Sequence, residues 1–126
     1  IVFGDWSSDV CSSDLRLFIE DMLDSMNMIE EYIHDLDRAD FSADKKTIDA
    51  VIRNIEIIGE AARNIPDDIK RRYPGIPWKQ MIGLRNLTIH AYFGIDLDII
   101  WQIASVNIPK TKSEIARILD SLDANT

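Results

Sequence analysis

The stretch IDAVIRNIEIIGEAARNI, residues 48–65, decides the fold of this 126-residue chain. Its apolar residues recur every three or four positions, which is the spacing of one face of an α-helix. They are Ile48, Val51, Ile52, Ile55, Ile58, Ala62 and Ile65. We predict a long helix from about Ala43 to Ile65, followed by a connector because Pro66 cannot continue a helix interior. An amphipathic helix of this kind must bury its apolar face against other helices.

Helical spacing also occurs on both sides of this stretch. It predicts a helix of five to six turns over 15–36, and residues 38–42 break the pattern. Residues 67–73 predict a short helix inside a connector that three prolines interrupt. A further helix is predicted from Pro77 to about Tyr92, because proline suits a first helical turn and a glycine follows at position 94.

The last third of the chain predicts two more helical segments. Asp96 is a candidate N-cap for a helix that begins at Leu97, and Pro109 should kink or split that helix. A final segment over 115–122 closes the chain. Because no alternating strand pattern occurs and the links are short, we predict an all-α, antiparallel bundle of four to five helices.

The two ends differ from this pattern. In residues 1–15, SSDV is nearly repeated as SSDL, and the segment resembles translated sequencing-adapter sequence. We interpret 1–15 as a non-native or disordered leader, 16–122 as the bundle and 123–126 as a tail. The alternative for the leader is a partly helical tail that ends in an N-cap at Ser13 or Asp14.

Composition narrows the class of protein. No apolar run approaches the roughly 20 residues of a membrane-spanning helix. The single cysteine, Cys11, cannot form an internal disulfide, and no secretory segment is evident at the start. We therefore predict a soluble, cytoplasmic protein with neither a thiolate metal site nor a cofactor.

Charge is distributed unevenly along the chain. The net charge is −8, which by itself argues against a nucleic-acid partner. Residues 45–85 nevertheless carry a balance of +4, and the remainder carries −12. A basic middle segment could face RNA, although it could equally serve a protein partner. The cations that we consider for RNA binding are Arg53, Lys70, Arg71, Arg72 and Lys79.

Three residues near the end of the predicted 77–92 helix carry chemistry: Arg85, His90 and Tyr92. Histidine transfers protons near neutral pH, and arginine binds phosphate through the N–H donors of its planar guanidinium. Those two side chains suit metal-independent cleavage of RNA. A histidine on the surface near a solvated arginine, with no catalytic role, is nevertheless the more common case. On an ideal helix, Arg85 and His90 lie roughly 140° apart, whereas Arg85 and Tyr92 nearly share a face. The first two could meet through a distorted helix end, a bent arginine side chain, or a two-fold dimer, which we favour.

The segment RNLTIHAY, residues 85–92, resembles the Arg-x-x-x-x-His-x-Tyr motif of the HepT branch of HEPN proteins. The flanking blocks agree as well: RNIEIIGEA at 53–61, Pro77-Trp78 before the motif, and YFGID at 92–96. The resemblance covers nearly all of 16–119. Thr88, Ile89 and Ala91 depart mildly from the family pattern, which leaves reaction rate and substrate preference open.

The resemblance implies a toxin of a type VII-like toxin–antitoxin pair. Such toxins are homodimers that cut RNA, such as tRNA or mRNA, with catalytic residues that correspond to Arg85 and His90. Their partner is a minimal nucleotidyltransferase of the MNT type, which neutralises them by transferring AMP to the motif tyrosine, here Tyr92. Asn86 fits the polar position after the arginine. The alternative is a catalytically silent helical subunit that binds the nucleotidyltransferase.

Several other residues have more than one interpretation. Asn54, Glu56 and Glu60 interrupt the apolar pattern of residues 48–65. Glu56 and Glu60, one turn apart, could form a metal pair or orient Arg85 and His90. Bundle metal sites need several carboxylates and a glutamate three residues before a histidine, and no glutamate stands three residues before His90. We therefore favour a supporting or ion-pairing role for Glu56 and Asn54.

The aromatic residues and the second histidine are also ambiguous. Trp78 and Trp101 could stack on bases, but their helical positions among aliphatic residues favour packing. His34 lies in an acidic stretch, and we expect it to face solvent.

Overall fold

The computed structural model describes residues 12–92 and 96–124, and it describes side chains over 14–86 and 96–124. The described part of the chain is helical and contains no strand, so the all-α prediction is confirmed. The helices are α1 Ser12–Ile33, α2 Arg38–Ala43, α3 Lys45–Arg63, α4 Asp67–Arg72, α5 Trp78–Tyr92, α6 Leu97–Gln102 and α7 Ile108–Ala124. A π-helical segment, Ile103–Asn107, joins α6 to α7.

The long helix α3 occupies the centre of the fold. It packs against α1 on one side and α5 on another, while α7 packs against α1. Its start is fixed by Asp44, whose side chain accepts a hydrogen bond from the Thr47 backbone N–H. The predicted apolar face is the buried one, since Val51, Ile55 and Ile58 are fully buried. α3 is therefore the helix that both α1 and α5 pack against.

Two ion pairs fix the relative direction of α1 and α7. Lys112 Nζ lies 2.9 Å from Glu30 Oε1, and Arg16 pairs with Asp123 near the opposite ends of the same helices. The two helices are therefore antiparallel, as predicted. α7 continues to Ala124, two residues into the predicted tail. α1 begins at Ser12, and Leu15 is buried in the core, so the last residues of the predicted leader join the bundle.

The prediction that residues 38–42 interrupt the helices was wrong, because Arg38–Ala43 forms α2. A capping box starts this helix: the Asp37 side chain accepts from the Asp40 backbone, and the Asp40 side chain accepts from the Asp37 backbone. Phe41 anchors it, with no exposed surface. The preceding helix ends at Ile33 instead of residue 36, and Asp35 adopts a left-handed conformation with φ of 65° just past that end.

The other predicted boundaries agree more closely. The predicted short helix over 67–73 is α4, and Pro66 is its N-cap. Asp96 is the N-cap residue of α6, although its side chain makes no capping hydrogen bond. The predicted stop at Gly94 lies outside the described residues. None of the described helices combines the length and the apolar character that a bilayer span requires.

The break predicted at Pro109 is present one turn earlier. Pro109 itself is the second residue of α7, and the preceding segment Ile103–Asn107 is π-helical. The Ile108 N–H bonds to the Ile103 carbonyl, five residues back. Proline has no N–H for the residue four positions earlier, so a regular α-helical ladder cannot run through this point. The π-turn joins α6 to α7 at this point.

Candidate functional site

The site begins with a close approach of two helix backbones. At Gly59 on α3, an added Cβ would lie 3.0 Å from the Met81 carbonyl oxygen on α5 and 3.5 Å from the Arg85 backbone nitrogen. Any larger residue at this position would meet backbone atoms of the neighbouring helix. The absence of a side chain at Gly59 therefore allows α5 to seat directly on α3. This contact sets the position of Arg85 relative to α3.

The Arg85 side chain reaches across to the next residue of α3. Its Nη1 donates a hydrogen bond to Glu60 Oε2 over 3.2 Å. The two side chains are 58% and 51% exposed, so solvent screens this ion pair and it contributes little to stability. Its consequence is geometric, because it holds one end of the guanidinium against α3.

Arg85 and Glu60 belong to a cleft of about 460 Å³ between α1, α3 and α5. One face of α3 forms most of its wall, since the lining positions are spaced three or four residues apart. The lining residues are Phe18, Asp21, Arg53, Glu56, Ile57, Glu60, Ala61, Asn64 and Arg85. The cleft thus combines two guanidinium groups with three carboxylates on a partly apolar floor.

The second guanidinium is that of Arg53, one of the predicted RNA-binding cations. Its Nη1 lies 3.7 Å from Glu56 Oε2, and its side chain is 72% exposed. Glu56 lines the same cleft, and Glu60 hydrogen bonds to Arg85. Two guanidinium groups on one cleft can each bind a phosphate oxygen through paired N–H donors.

The predicted catalytic pair is described only in part. α5 is α-helical from Trp78 to Tyr92. Positions 85 and 90 therefore lie about 140° apart around its axis, and positions 85 and 92 about 20° apart. The side chains of His90 and Tyr92 lie outside the described residues.

The supporting residues are divided between the cleft and other places. The Asn54 side chain donates to the Ala50 carbonyl on its own helix over 2.9 Å and does not line the cleft. Asn86 is exposed on α5 and is likewise not a lining residue. The structure thus brings together Arg53, Glu56 and Arg85 from the predicted set.

The remaining predicted RNA-binding cations lie elsewhere on the surface. Lys70, Arg71 and Arg72 form the last turn of α4, and Lys79 is exposed in the first turn of α5. None of the four lines the cleft.

Two of the lining residues that sequence reasoning missed, Phe18 and Asp21, come from α1. A third, Asn64, could have been found from its helical spacing to Glu60.

The aromatic residues pack as the sequence favoured. Trp78 is 7% exposed, and its indole N–H donates to the Tyr73 carbonyl over 3.0 Å. Trp101 is partly buried against Phe41.

His34 is 78% exposed beside Asp35, which confirms that it faces solvent. Within the described side chains, no group of three or more metal-ligating residues forms a metal site.

Comparisons with known proteins agree on one family. The family model for ribonuclease HepT-like proteins matches residues 22–118. The protein named "Putative RNase MJ1380" of Methanocaldococcus jannaschii is 45% identical over 102 residues, which cover 81% of this chain and 94% of that protein. "Probable ribonuclease HepT" of Thermococcus cleftensis is 44% identical over 101 residues, covering 80% of this chain and 92% of that protein.

One relative is longer than the region that matches this chain. "Gamma-glutamylcyclotransferase and putative RNase MJ0434" of Methanocaldococcus jannaschii is 43% identical over 112 residues. The match covers 89% of this chain but only 50% of that protein. No solved structure matches the chain. The family match spans α1 to α7 and contains the whole cleft wall of α3 together with Arg85, and on this evidence the chain belongs to the HepT-like ribonuclease family.

Proposed function

We propose that this protein is an endoribonuclease that cuts RNA without a metal ion, using Arg85 and His90. The observation that carries the proposal is the position of Arg85. Its guanidinium lies in a cleft that holds a second arginine, Arg53, in a chain whose family is named for ribonuclease activity. The cleft can take a phosphate, and α5 supplies a histidine five residues further along.

The proposed reaction is an attack by the ribose 2′-oxygen on the adjacent phosphorus. His90 takes the 2′-hydroxyl proton as general base while water protonates the departing 5′-oxygen, or His90 protonates that oxygen as general acid while water takes the 2′-hydroxyl proton. Arg85 stabilises the charge that develops on the phosphate oxygens. The bond from phosphorus to the 5′-oxygen breaks, which leaves a 2′,3′-cyclic phosphate on one fragment and a 5′-hydroxyl on the other.

A homodimer is the proposed form of the active enzyme. Positions 85 and 90 lie on different sides of a continuous helix, so one copy does not present both residues on a single face. A two-fold interface along α5 can place the Arg85 of one copy beside the His90 of the other. The long Arg85 side chain bending around its own helix is the competing arrangement.

We further propose that the protein is the toxin of a toxin–antitoxin pair. Its partner would be a minimal nucleotidyltransferase of the MNT type, which transfers AMP from ATP to the Tyr92 phenol oxygen and releases pyrophosphate. Tyr92 lies two turns from Arg85 on nearly the same helix face. The added phosphate is anionic, so it would compete with RNA for the Arg85 guanidinium.

The test uses the purified full chain and a labelled single-stranded RNA. We expect wild-type protein to release 2′,3′-cyclic phosphate ends in the presence of EDTA. His90→Ala and Arg85→Ala should each lower the rate by about 100-fold or more, as expected for loss of a proton-transfer group or a phosphate-stabilising cation. Equal cleavage by wild type and His90→Ala would overturn the ribonuclease proposal.

Co-expression with the neighbouring nucleotidyltransferase tests the partner. A mass increase of one or more AMP units that disappears in Tyr92→Phe supports the toxin scheme. A folded wild-type chain that cleaves no RNA and gains no AMP, yet copurifies with the nucleotidyltransferase, supports the silent-subunit alternative instead.

A further inference from the structure

We propose that the adjacent residues Gly59 and Glu60 are positioning residues for Arg85, with the first seating its backbone and the second aiming its guanidinium. This inference rests on the proposed function, in which Arg85 stabilises the scissile phosphate. Neither residue needs to touch RNA. Both act through the contact between α3 and α5.

The argument for Gly59 concerns the backbone. A Cβ at this position would lie 3.0 Å from the Met81 carbonyl oxygen, 3.5 Å from the Arg85 nitrogen and 3.6 Å from Leu84 Cβ. The first distance is at the limit that real Cβ atoms show, and a carbonyl oxygen inside a helix cannot rotate away by itself. Gly59→Ala must therefore push α5 outward by a few tenths of an ångström. Arg85 lies one turn further along α5 and would move with it.

The argument for Glu60 concerns the side chain. An arginine side chain samples many rotamers unless contacts restrict them. The 3.2 Å hydrogen bond from Arg85 Nη1 to Glu60 Oε2 selects conformers that lie along the cleft wall. This orientation keeps the guanidinium at the cleft, where it can contact a phosphate.

The carboxylate of Glu60 also has an opposing effect. It lines the same cleft as Arg85 and repels the phosphates of an incoming RNA. Removing its charge should therefore improve binding while it worsens the geometry of the reaction. A role in positioning predicts a fall in kcat without a rise in KM, whereas loss of a phosphate-binding group predicts a rise in KM.

The chain supplies a matched control for each substitution. Gly83→Ala adds a methyl group to α5 itself, at a glycine whose Cβ would meet nothing within 4 Å. Asp49→Asn removes a carboxylate from α3 that pairs with Lys45 over 3.5 Å and does not line the cleft. Both controls should keep wild-type kcat and KM.

The experiment compares Glu60→Ala, Glu60→Gln, Glu60→Asp and Gly59→Ala with these controls in single-turnover and steady-state cleavage. We expect kcat to fall by about 10- to 100-fold for Glu60→Ala and Gly59→Ala, because displacements below 1 Å are costly in positioned catalysis. Glu60→Gln retains an acceptor for Arg85 and should lose less. Glu60→Asp should recover part of the Glu60→Ala loss, and KM should not rise in any of the Glu60 variants.

A second measurement is independent of cleavage. In ¹⁵N-labelled protein, the side-chain Nε–H resonance of Arg85, assigned with Arg85→Lys, reports whether the guanidinium is held. We expect it to shift and to exchange faster with water in Glu60→Ala but not in Asp49→Asn. Thermal unfolding of each variant shows whether it is folded.

The inference is overturned if folded Glu60→Ala and Gly59→Ala keep kcat within twofold of wild type while His90→Ala is inactive. It is also overturned if the Arg85 resonance is the same in Glu60→Ala and wild type. By contrast, wild-type cleavage that persists in His90→Ala removes the proposed ribonuclease site. The two failures therefore give different results.

Discussion

The ring of Phe41 on α2 lies against the indole of Trp101 on α6, with 5.3 Å between ring centroids and planes tilted by 41°. Phe41 has no exposed surface, so this contact anchors α2 in the hydrophobic core. It also accounts for Trp101 as a packing residue, at a centroid separation in the range of interacting aromatic pairs. The six-residue helix α2 is therefore part of the bundle and not a surface connector.

Replacing Phe41 should test how much this anchor stabilises the fold. We expect Phe41→Ala to lower the free energy of unfolding by about 3–5 kcal/mol, because it leaves a cavity in a fully buried position. Urea unfolding measures the change. Leu17→Ala is the control, since Leu17 is 58% exposed, and its effect should stay within about 0.5 kcal/mol. A loss below about 1 kcal/mol for Phe41→Ala would show that α2 is not anchored as described.

The sequence predicted the long helices well because their apolar faces repeat over many turns. It did not predict α2, because six residues are too few to show a helical period. Two local features specify that helix instead: the reciprocal capping of Asp37 and Asp40, and the burial of Phe41. The capping residues were visible in the sequence, but the burial of Phe41 depends on α6, which lies far along the chain.

The site was predictable to a similar extent. Arg85 stands out in the motif, and its chemistry follows from its residue type. Its contacts were less predictable, because they depend on how α5 packs on α3, and this packing brings Glu60 within hydrogen-bond distance of Arg85. Asn54 was assigned a supporting role, yet its amide bonds to its own helix, as polar side chains in helices often do. The role of Gly59 depends entirely on an interhelical distance.

The pH dependence of stability should carry a contribution from Asp44, the N-cap of α3. Its side chain accepts hydrogen bonds from the Thr47 hydroxyl over 2.7 Å and from the Thr47 backbone N–H over 3.2 Å. These bonds hold the pKa of Asp44 below its ordinary value of 3.8. A depressed pKa in the folded state gives stability that is present above the unfolded pKa and is lost as pH falls through the folded pKa.

Asp44→Asn isolates this contribution, because asparagine also caps helices but does not titrate. We expect wild type to be more stable than Asp44→Asn at about pH 6, and the difference to shrink as pH falls below about 4. Denaturant unfolding at several pH values measures it. The other carboxylates titrate in both proteins, so the difference reports Asp44. A difference that stays constant down to about pH 2.5 would contradict the assignment.

The salt dependence of RNA binding should distinguish the cleft from the basic turn of α4. Arg53 lines the cleft with Arg85, whereas Lys70, Arg71 and Arg72 do not. Each phosphate contact to single-stranded RNA contributes about 0.7 to the slope of log affinity against log salt concentration. In a His90→Ala background, where RNA stays intact, we expect Arg53→Gln to lower the magnitude of that slope by about 0.7.

The comparison depends on controlling for net charge, since any lost cation weakens RNA binding at long range. Lys112→Gln provides that control, because Lys112 pairs with Glu30 on α1 and lies outside the cleft. It should lower affinity slightly and leave the slope nearly unchanged. Replacing Lys70, Arg71 and Arg72 together with glutamine should change the slope less than Arg53→Gln does. The reason is that RNA bound at Arg85 contacts the cleft before it reaches α4. A larger change in slope from the triple variant would contradict this prediction. It would mean that α4 makes most of the contacts with RNA phosphates and that the cleft makes few.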